Sequence, residues 1–225
     1  MNKYYSQCGQ DKFLNEVIFK GKKNGIFIDI GANDGVTFSN TFFFEKELNW
    51  KGLCFEPLVS AFKKLSNNRS SVNVNGCACA EDKPDVFLSV NGYGEMLSGL
   101  KSKYDERHLQ RVFETVSLHG GSIEEVEVQC YDINKMLALH SLYEIDFLSI
   151  DTEGNELDIL KAIKFDEFHI KAITVENNYS SKDFNELLSH NGFKKIKVLD
   201  ADEVYVNKAD FGYFKRRSIK NDSNY

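Results

Sequence analysis

Short apolar runs alternate with amphipathic segments along most of the chain, and turn residues separate them. Several runs are apolar at consecutive positions, as expected of strands that are buried on both faces of a parallel sheet. This alternation is typical of an α/β fold. The predicted strands cover residues 26–30, 52–55, 72–78, 86–90, 126–128, 146–151 and 170–175.

The segments between these strands predict helices. Thr37 has the side chain of a helix N-cap and predicts a helix over 38–48. Residues 180–183 form a capping box, and they predict a helix that Gly192 ends. Further helices are predicted near residues 61–65 and 134–140, and over a segment with apolar residues at 157, 160 and 163.

Three further segments complete the organisation. Residues 91–121 are polar and aromatic and lie between strands, so we expect an excursion that acts as a lid. Residues 193–199 and 203–206 predict a β-hairpin. Residues 211–225 form a charged tail that we expect to be flexible.

Composition narrows the class of protein. The chain has 225 residues, of which 42% are hydrophobic, and this excludes a disordered chain. No run approaches the roughly 20 apolar residues of a membrane span, and the first residues lack a signal peptide's apolar stretch. The net charge of −6 argues against a nucleic-acid partner. Five cysteines without a C-x-x-C pair indicate reduced thiols in a cytoplasmic protein.

The first chemical signal is the turn after the 26–30 strand, which Gly31 and Gly35 bracket. Glycines let the backbone approach a ligand, and the following helix would offer unpaired N–H groups. Asp29 and Asp34 would repel a phosphate there, but they suit a ligand that carries an amine or a sulfonium. The glycine spacing also differs from the dinucleotide fingerprint G-x-G-x-x-G. The alternative is a tight turn without a ligand.

The second signal is Glu56, which ends the next strand about 20 residues after Gly35. An acid at this position accepts hydrogen bonds from ribose hydroxyls in nucleoside-binding α/β folds. The alternative is a surface acid before Pro57. Together the two signals predict an adenosine-type ligand with a positive appendage, which fits S-adenosylmethionine better than NAD.

The third signal comes from the ends of two later strands. Asp151 and Glu176 should reach the carboxyl edge of the sheet, where open α/β sheets bind ligands. Either carboxylate could remove the proton of an acceptor hydroxyl. Asn155 and Glu156 are also explained by helix capping and the helix dipole, but Asp151 is not.

These motifs resemble the FkbM-type family of S-adenosylmethionine-dependent O-methyltransferases. The resemblance rests on residues 27–35, 54–57 and 146–156, with a further match at 6–11. It implies a Rossmann-like class I methyltransferase fold. That fold is a seven-stranded, mostly parallel sheet with helices on both faces and an antiparallel strand from a C-terminal hairpin. Residues 1–210 would form a single methyltransferase domain.

The resemblance also implies roles for individual residues. Glu56, with Pro57 beside it, would hold the ribose of the cofactor, and Cys77 and Ala78 would line the adenine. The methionine part would be held by residues of the glycine turn, which are Asp29, Gly31, Asn33, Asp34 and Gly35.

A second likeness concerns a metal. Asp151, Glu176 and Asn177 look like the oxygen ligands of metal-dependent catechol-type O-methyltransferases. Such a set would suit Mg²⁺ or Mn²⁺. The alternative is structural hydrogen bonding at the strand ends.

The expected activity is methylation of a hydroxyl, and family analogy points to a sugar of a surface glycan or glycosylated product. Glu153, and Ser98 and His119 in the 91–121 segment, are the candidate substrate contacts, and His108 in that segment is an equal candidate to His119. Two other functions stay open, an NAD-dependent Rossmann oxidoreductase or epimerase and a non-catalytic interaction module. The sequence also leaves the oligomeric state open, a homodimer included.

Overall fold

A seven-stranded sheet lies at the centre of the protein, and the computed structural model describes residues 3–212. A smaller sheet of four strands lies beside it. The strands are β1 Ile26–Ile30, β2 Lys51–Glu56, β3 Val72–Asn75, β4 Cys77–Cys79, β5 Lys83–Asn91, β6 Gly99–Leu100, β7 Ser122–Asp132, β8 Glu144–Ile150, β9 His169–Glu176, β10 Phe193–Leu199 and β11 Asp202–Asn207.

Seven α-helices connect or flank these strands in the described part of the chain. They are α1 Gln10–Phe13, α2 Phe42–Leu48, α3 Val59–Asn68, α4 Glu106–His119, α5 Ile133–Leu139, α6 Glu156–Ala162 and α7 Asp183–His190. A π-helical segment, Leu14–Phe19, follows α1 directly. Single 3₁₀ turns occur at Glu95–Leu97, Lys101–Lys103 and Lys208–Asp210.

The central sheet has the strand order β10-β11-β9-β8-β1-β2-β3. Strand β11 is antiparallel to both of its neighbours, and the other pairs are parallel. The predicted fold class is therefore confirmed, including the antiparallel strand of the C-terminal hairpin.

Two hydrophobic cores cover the two faces of this sheet, because side chains alternate between faces along each strand. Ile28 and Ile30 of β1 face the core that contains residues of α5, α6 and α7. Phe27 faces the other core, which contains the π-helical segment and residues of α2 and α3. Helices thus lie on both faces of the sheet, as the resemblance implied.

The four-stranded sheet, of order β4-β7-β5-β6, was not predicted. The predicted 72–78 strand is in fact two strands in two different sheets, β3 and β4, which separate at Gly76. A Cβ at Gly76 would lie 2.4 Å from the carbonyl oxygen of Gln129, so only glycine fits where the chain crosses to β7. Cys77 then pairs with Cys130 of β7 in parallel register.

Two predicted helix starts were wrong. The predicted helix over 38–48 begins at Phe42, and Thr37 does not cap it, because its hydroxyl and amide bind the Asp34 carboxylate instead. Helix α7 begins at Asp183, and its capping interaction is a hydrogen bond from the Asp183 amide to the Ser181 hydroxyl. Before each helix, a side-chain oxygen accepts a hydrogen bond from a nearby backbone amide and stabilises a turn there.

The 91–121 segment is more ordered than a loop. It contains two 3₁₀ turns, strand β6 and the 14-residue helix α4, which Asp105 caps by accepting a hydrogen bond from the His108 amide. Of the expected tail, residues 213–225 lie outside the described part of the chain. No helix among the described residues is both long and apolar enough to cross a bilayer.

Candidate active site

Gly31 joins the glycine turn to the edge of the sheet. Its φ is +90°, and a Cβ there would lie 1.7 Å from the carbonyl oxygen of Asp151, so no other residue fits without a shift of the backbone. The Asp151 amide donates to the carbonyl of Ile30. This contact fixes the glycine turn against the residue that follows β8.

Asp34 and Gly35 serve the turn itself. The Asp34 carboxylate accepts hydrogen bonds from the amides of Val36 and Thr37, at 2.9 and 2.7 Å, and these bonds lower its pKa. A Cβ at Gly35 would lie 2.7 Å from side-chain atoms of Arg69 and Leu65. Neither residue lines the two cavities described below, so their predicted cofactor contacts stay a prediction without geometric support.

Asp29 is 5% exposed and lies in a buried polar network. It accepts a hydrogen bond of 2.5 Å from the Thr41 hydroxyl, and an Nη atom of Arg69 lies 3.7 Å away. Burial raises the pKa of Asp29, and Arg69 opposes that shift. Arg69 also binds Glu45 at 2.6 Å, so this guanidinium connects α3, α2 and β1.

A cleft of about 760 Å³ opens beside Glu56, and we call it the cofactor cleft. Glu56 is 6% exposed, and its two carboxylate oxygens accept hydrogen bonds from the amides of Asn33 and Leu58, at 2.9 and 2.8 Å. Burial raises the pKa of Glu56 to about 7 despite these bonds. The predicted cofactor contacts that line this cleft are Gly31, Asn33, Glu56, Pro57, Cys77 and Ala78.

Asn155 forms part of the cofactor cleft and does not cap α6 through its side chain. Its Nδ2 donates to the carbonyl of Ala78 at 3.2 Å, which ties the loop after β8 to β4. The Glu156 carboxylate instead accepts hydrogen bonds from the amides of Thr152 and Gly154. Asn155 is therefore the N-cap residue of α6 by position, but its side chain makes no capping hydrogen bond. Glu156 lies in the first turn of α6, as the helix-dipole interpretation expected.

Three carboxylates meet at the edge of the cofactor cleft. Oxygen atoms of Asp151, Glu153 and Glu176 all lie within 4.8 Å of one another. Burial, followed by repulsion between the carboxylates, raises the pKa of Glu153 to about 8 and that of Glu176 to about 9. The pKa of Asp151 is raised well above its ordinary value for the same reasons. The predicted pair Asp151 and Glu176 is thus brought together, with Glu153 as a third member.

The strand register explains this meeting. Ile150 pairs with Val175, so the next residues, Asp151 and Glu176, lie side by side at the carboxyl edge. Glu176 in turn pairs with Asp202 at the start of β11. Asp202 is 7% exposed and was missed by the sequence analysis, although the predicted hairpin carried the signal.

Asn177 does not belong to this cluster. Its side-chain Nδ2 donates to the Ser181 carbonyl and to the Glu203 carboxylate. Its Oδ1 accepts a hydrogen bond from the backbone amide of Ser181. Asn177 therefore stabilises the turn before α7. If a metal binds, the third oxygen ligand would be Glu153.

The 91–121 segment brings Ser98 and His108 to the site and leaves His119 outside it. Ser98 lines the cofactor cleft, but its hydroxyl is occupied by the Glu95 carbonyl and the Val90 amide. His119 stacks on Tyr93, with ring centroids 4.2 Å apart, and lies outside the described cavities. His108 is the buried histidine, and its Nδ1 lies 3.7 Å from Glu153.

A second cavity of about 1050 Å³, which we call the second pocket, shares five wall residues with the cofactor cleft. They are Gly31, Asn33, Met96, Asp151 and Glu153. The two cavities therefore meet at the three-carboxylate cluster. A ligand in one would lie next to a ligand in the other, with Asp151 between them.

Comparison with known proteins gives a consistent assignment. The family described as the Methyltransferase FkbM domain matches residues 29–202. The curated methyltransferase sdnD of Sordaria araneosa is 27% identical over 175 residues, which cover 68% of this chain and 66% of that protein. The matched region thus spans just under two thirds of that relative.

Comparison with solved structures also gave matches. The FkbM methyltransferase of Methylobacillus flagellatus KT shares 12% identity at a TM-score of 0.44, over 83% of this chain and 44% of that one. A protein of the NADB-Rossmann superfamily from Streptococcus agalactiae shares 12% identity at a TM-score of 0.47, over 92% of this chain and 70% of that one.

Proposed function

This chain belongs to the FkbM methyltransferase family, and on that premise we propose that it is an S-adenosylmethionine-dependent O-methyltransferase. The proposed acceptor is a hydroxyl of a sugar in a surface glycan or glycosylated product. Family membership supports the cofactor and the transfer of a methyl group. The geometry of the site supports binding of the cofactor in the cofactor cleft. The assignment of a sugar as acceptor rests on the resemblance and on the polar second pocket.

The observation that carries the proposal is the Glu56 carboxylate. Two ionised carboxylate oxygens offer about four acceptor positions, and backbone amides occupy one position on each oxygen. The remaining positions can accept the two hydroxyls of a ribose. Apolar side chains of the cleft, among them Phe55, Leu58 and Leu100, would flank the adenine. These residues fit an adenosyl group.

Bound S-adenosylmethionine supplies an electrophilic methyl group. Asp151 and Glu176 would then position the acceptor hydroxyl and take its proton as the new carbon–oxygen bond forms. Only the ionised form of these carboxylates can take the proton, and the raised pKa of each group makes that form a stronger base than an exposed carboxylate. Holding the hydroxyl in the correct position contributes as well, up to about 7–11 kcal/mol in favourable cases.

The Mg²⁺ or Mn²⁺ stays a prediction. The carboxylates of Asp151, Glu153 and Glu176 have the oxygen donors that these ions prefer. They would hold the ion without Asn177. The direct measurement compares turnover in EDTA with turnover after Mg²⁺ or Mn²⁺ is restored, and turnover that persists unchanged in EDTA would exclude a required metal.

The activity is tested by S-adenosylhomocysteine formation with a panel of free sugars and glycosides. Asp151→Asn keeps the shape of the side chain but removes the base, so we expect the rate to fall by about 10²–10⁴-fold. Affinity for S-adenosylhomocysteine should change little. Glu144→Gln, an exposed acid at the start of β8, is the matched control. Unchanged turnover in Asp151→Asn would remove Asp151 from the mechanism.

A further inference from the structure

The N-terminal motif 6–11 builds one wall of the second pocket. The buried Asp11 carboxylate accepts hydrogen bonds from the amides of Tyr5 and Ser6 and from the Ser6 hydroxyl, at 2.6, 3.2 and 2.6 Å. This folds the segment back so that Gln7, Cys8 and Gln10 line the pocket. The motif therefore contributes to the second pocket, although none of its residues lines the cofactor cleft.

Gln10 connects this wall to the opposite one. Its Nε2 donates to Asp202 at 2.5 Å, and both side chains are buried. The bond leaves the other oxygen of Asp202 available to a ligand. Asp202 lies beside Glu176, so the pocket wall continues directly into the three-carboxylate cluster.

Acidic side chains dominate the wall of the second pocket, and a bound cation would favour their ionised form. Six carboxylates line it, of residues Asp29, Asp151, Glu153, Glu176, Asp200 and Asp202. Arg69 compensates Asp29 from behind. Among residues 3–212, Arg111 is the only cationic side chain in the wall, and it lies 3.8 Å from Glu153. Five carboxylates therefore face one guanidinium.

Asn40 gives an independent indication of a ligand. This residue lines the second pocket and is 9% exposed. Its Nδ2 donates to the Ser149 hydroxyl, but its buried Oδ1 has no hydrogen-bond partner among the described residues. An unpaired buried acceptor destabilises the folded protein. A ligand that donates a hydrogen bond would remove that destabilisation.

We propose that the second pocket binds an acceptor that is an amino sugar, whose protonated amine lies against Glu176 and Asp202 and whose hydroxyl donates to Asn40. This rests on the proposed methyl transfer and names the class of its substrate. An ammonium group supplies three donors and one positive charge, and the ring supplies hydroxyl donors. The pocket offers mainly acceptors, so donors and acceptors match.

A single metal ion accounts for less of this wall. The close cluster includes Asp151, Glu153 and Glu176, but Asp200 and Asp202 lie outside it. Neither Asn40 nor the link from Gln10 to Asp202 would be used. A ring with an amine and several hydroxyls supplies donors of the kind that these acceptor groups require.

The test compares D-glucosamine with N-acetyl-D-glucosamine, which has the same ring but no charge. Binding to the full chain is measured by calorimetry in EDTA, with S-adenosylhomocysteine present. We expect glucosamine to bind at least about tenfold more tightly, because hydrogen bonds to charged groups are worth more than neutral ones. Asp202→Asn should remove most of this preference, and Glu144→Gln should keep it.

Asp200→Asn is the second variant, because Asp200 is exposed and its replacement should not disturb folding. It should reduce the preference for the amine in part. Equal binding of the two sugars, or a preference that both variants keep, would overturn the proposal. A preference seen with Mg²⁺ but lost in EDTA would also overturn it, because the carboxylates would then hold a metal. Failure of S-adenosylhomocysteine to bind would instead reject the proposed function.

Discussion

Glu56 is a single residue that joins the glycine turn to the end of β2 and forms part of the proposed cofactor site. Its carboxylate accepts the amides of Asn33 and Leu58, and so it holds the glycine turn next to the end of β2. Burial opposes the charge and raises the pKa of Glu56 to about 7. A carboxylate that titrates near neutrality makes cofactor affinity depend on pH.

We expect the affinity for S-adenosylhomocysteine to rise from pH 6 to pH 8. Ribose hydroxyls stabilise the ionised carboxylate, so binding lowers the pKa of Glu56 and releases a proton. The gain should be about three- to tenfold, since one pKa unit corresponds to tenfold. Calorimetry at both pH values measures it. Glu56→Gln should bind S-adenosylhomocysteine more weakly, and its affinity should not depend on pH. If the affinity of this variant still rose with pH, a group other than Glu56 would be responsible.

Glu176 illustrates how the three-carboxylate cluster lowers the stability of the folded protein. Its pKa of about 9 in the folded protein exceeds its ordinary value of 4.5, so the folded state holds a proton that the unfolded state loses. Stability from this group therefore falls as the pH rises from about 4.5 to about 9.

Glu176→Gln should raise the melting temperature at pH 8, because the neutral amide needs no proton uptake on folding. We expect about 2–4 °C, which is about 1 kcal/mol for a chain of this size. The variant should also lose activity, as functional sites often trade stability for function. Calorimetric melts against Glu144→Gln provide the comparison. A lower melting temperature would show that Glu176 stabilises the fold.

The sequence predicted which residues lie together better than it predicted what each side chain contacts. The sequence placed Gly31, Glu56, Asp151 and Glu176 at the carboxyl edge of the sheet, because strand ends and glycine turns mark the edge of an α/β sheet. It could not show that Asn177 binds the Ser181 backbone and Glu203. The direction of a side chain depends on neighbours that lie far away in sequence.

At the scale of elements, the central sheet was predictable and the small sheet was not. Buried parallel strands are visible as apolar runs, whereas β5 and β7 expose many polar residues and pair along nine positions. The crossing at Gly76 depends on the approach of Gln129, which the sequence does not reveal. The single strand predicted over residues 72–78 was therefore divided between two sheets.

The small sheet carries the 91–121 segment to the cofactor cleft. Glu95, Met96, Ser98 and Leu100 line this cleft, and the side-chain Nδ2 of Asn33 lies 3.2 Å from the Met96 sulfur. The segment thus forms one side of the space that an adenosyl group would fill.

We expect S-adenosylhomocysteine to slow amide hydrogen exchange in residues 92–104. Ligand at 100 times its Kd can stabilise a binding-competent state by about 2.7 kcal/mol, which limits the protection to about 100-fold. Strand β10 lies at the far edge of the sheet and is the internal control. Protection of the glycine turn without protection of 92–104 would show that the segment does not contact the cofactor.

At the scale of the whole molecule, two cavities meet at one group of carboxylates. The cofactor cleft lies on the β1–β2–β4 side, and the second pocket lies on the side of β9 and β11. The strand order places these sides next to each other at the carboxyl edge. Transfer between two ligands requires such an arrangement, because reacting atoms must be held close together.

The most direct test of this account is calorimetric titration of the chain with S-adenosylhomocysteine and, separately, with NAD. The account predicts one site for S-adenosylhomocysteine and none for NAD. Glu56→Ala should weaken that site by about 1–3 kcal/mol, because it removes the buried acceptor of the ribose hydroxyls. Binding of NAD alone, or S-adenosylhomocysteine binding that Glu56→Ala leaves unchanged, would contradict the account.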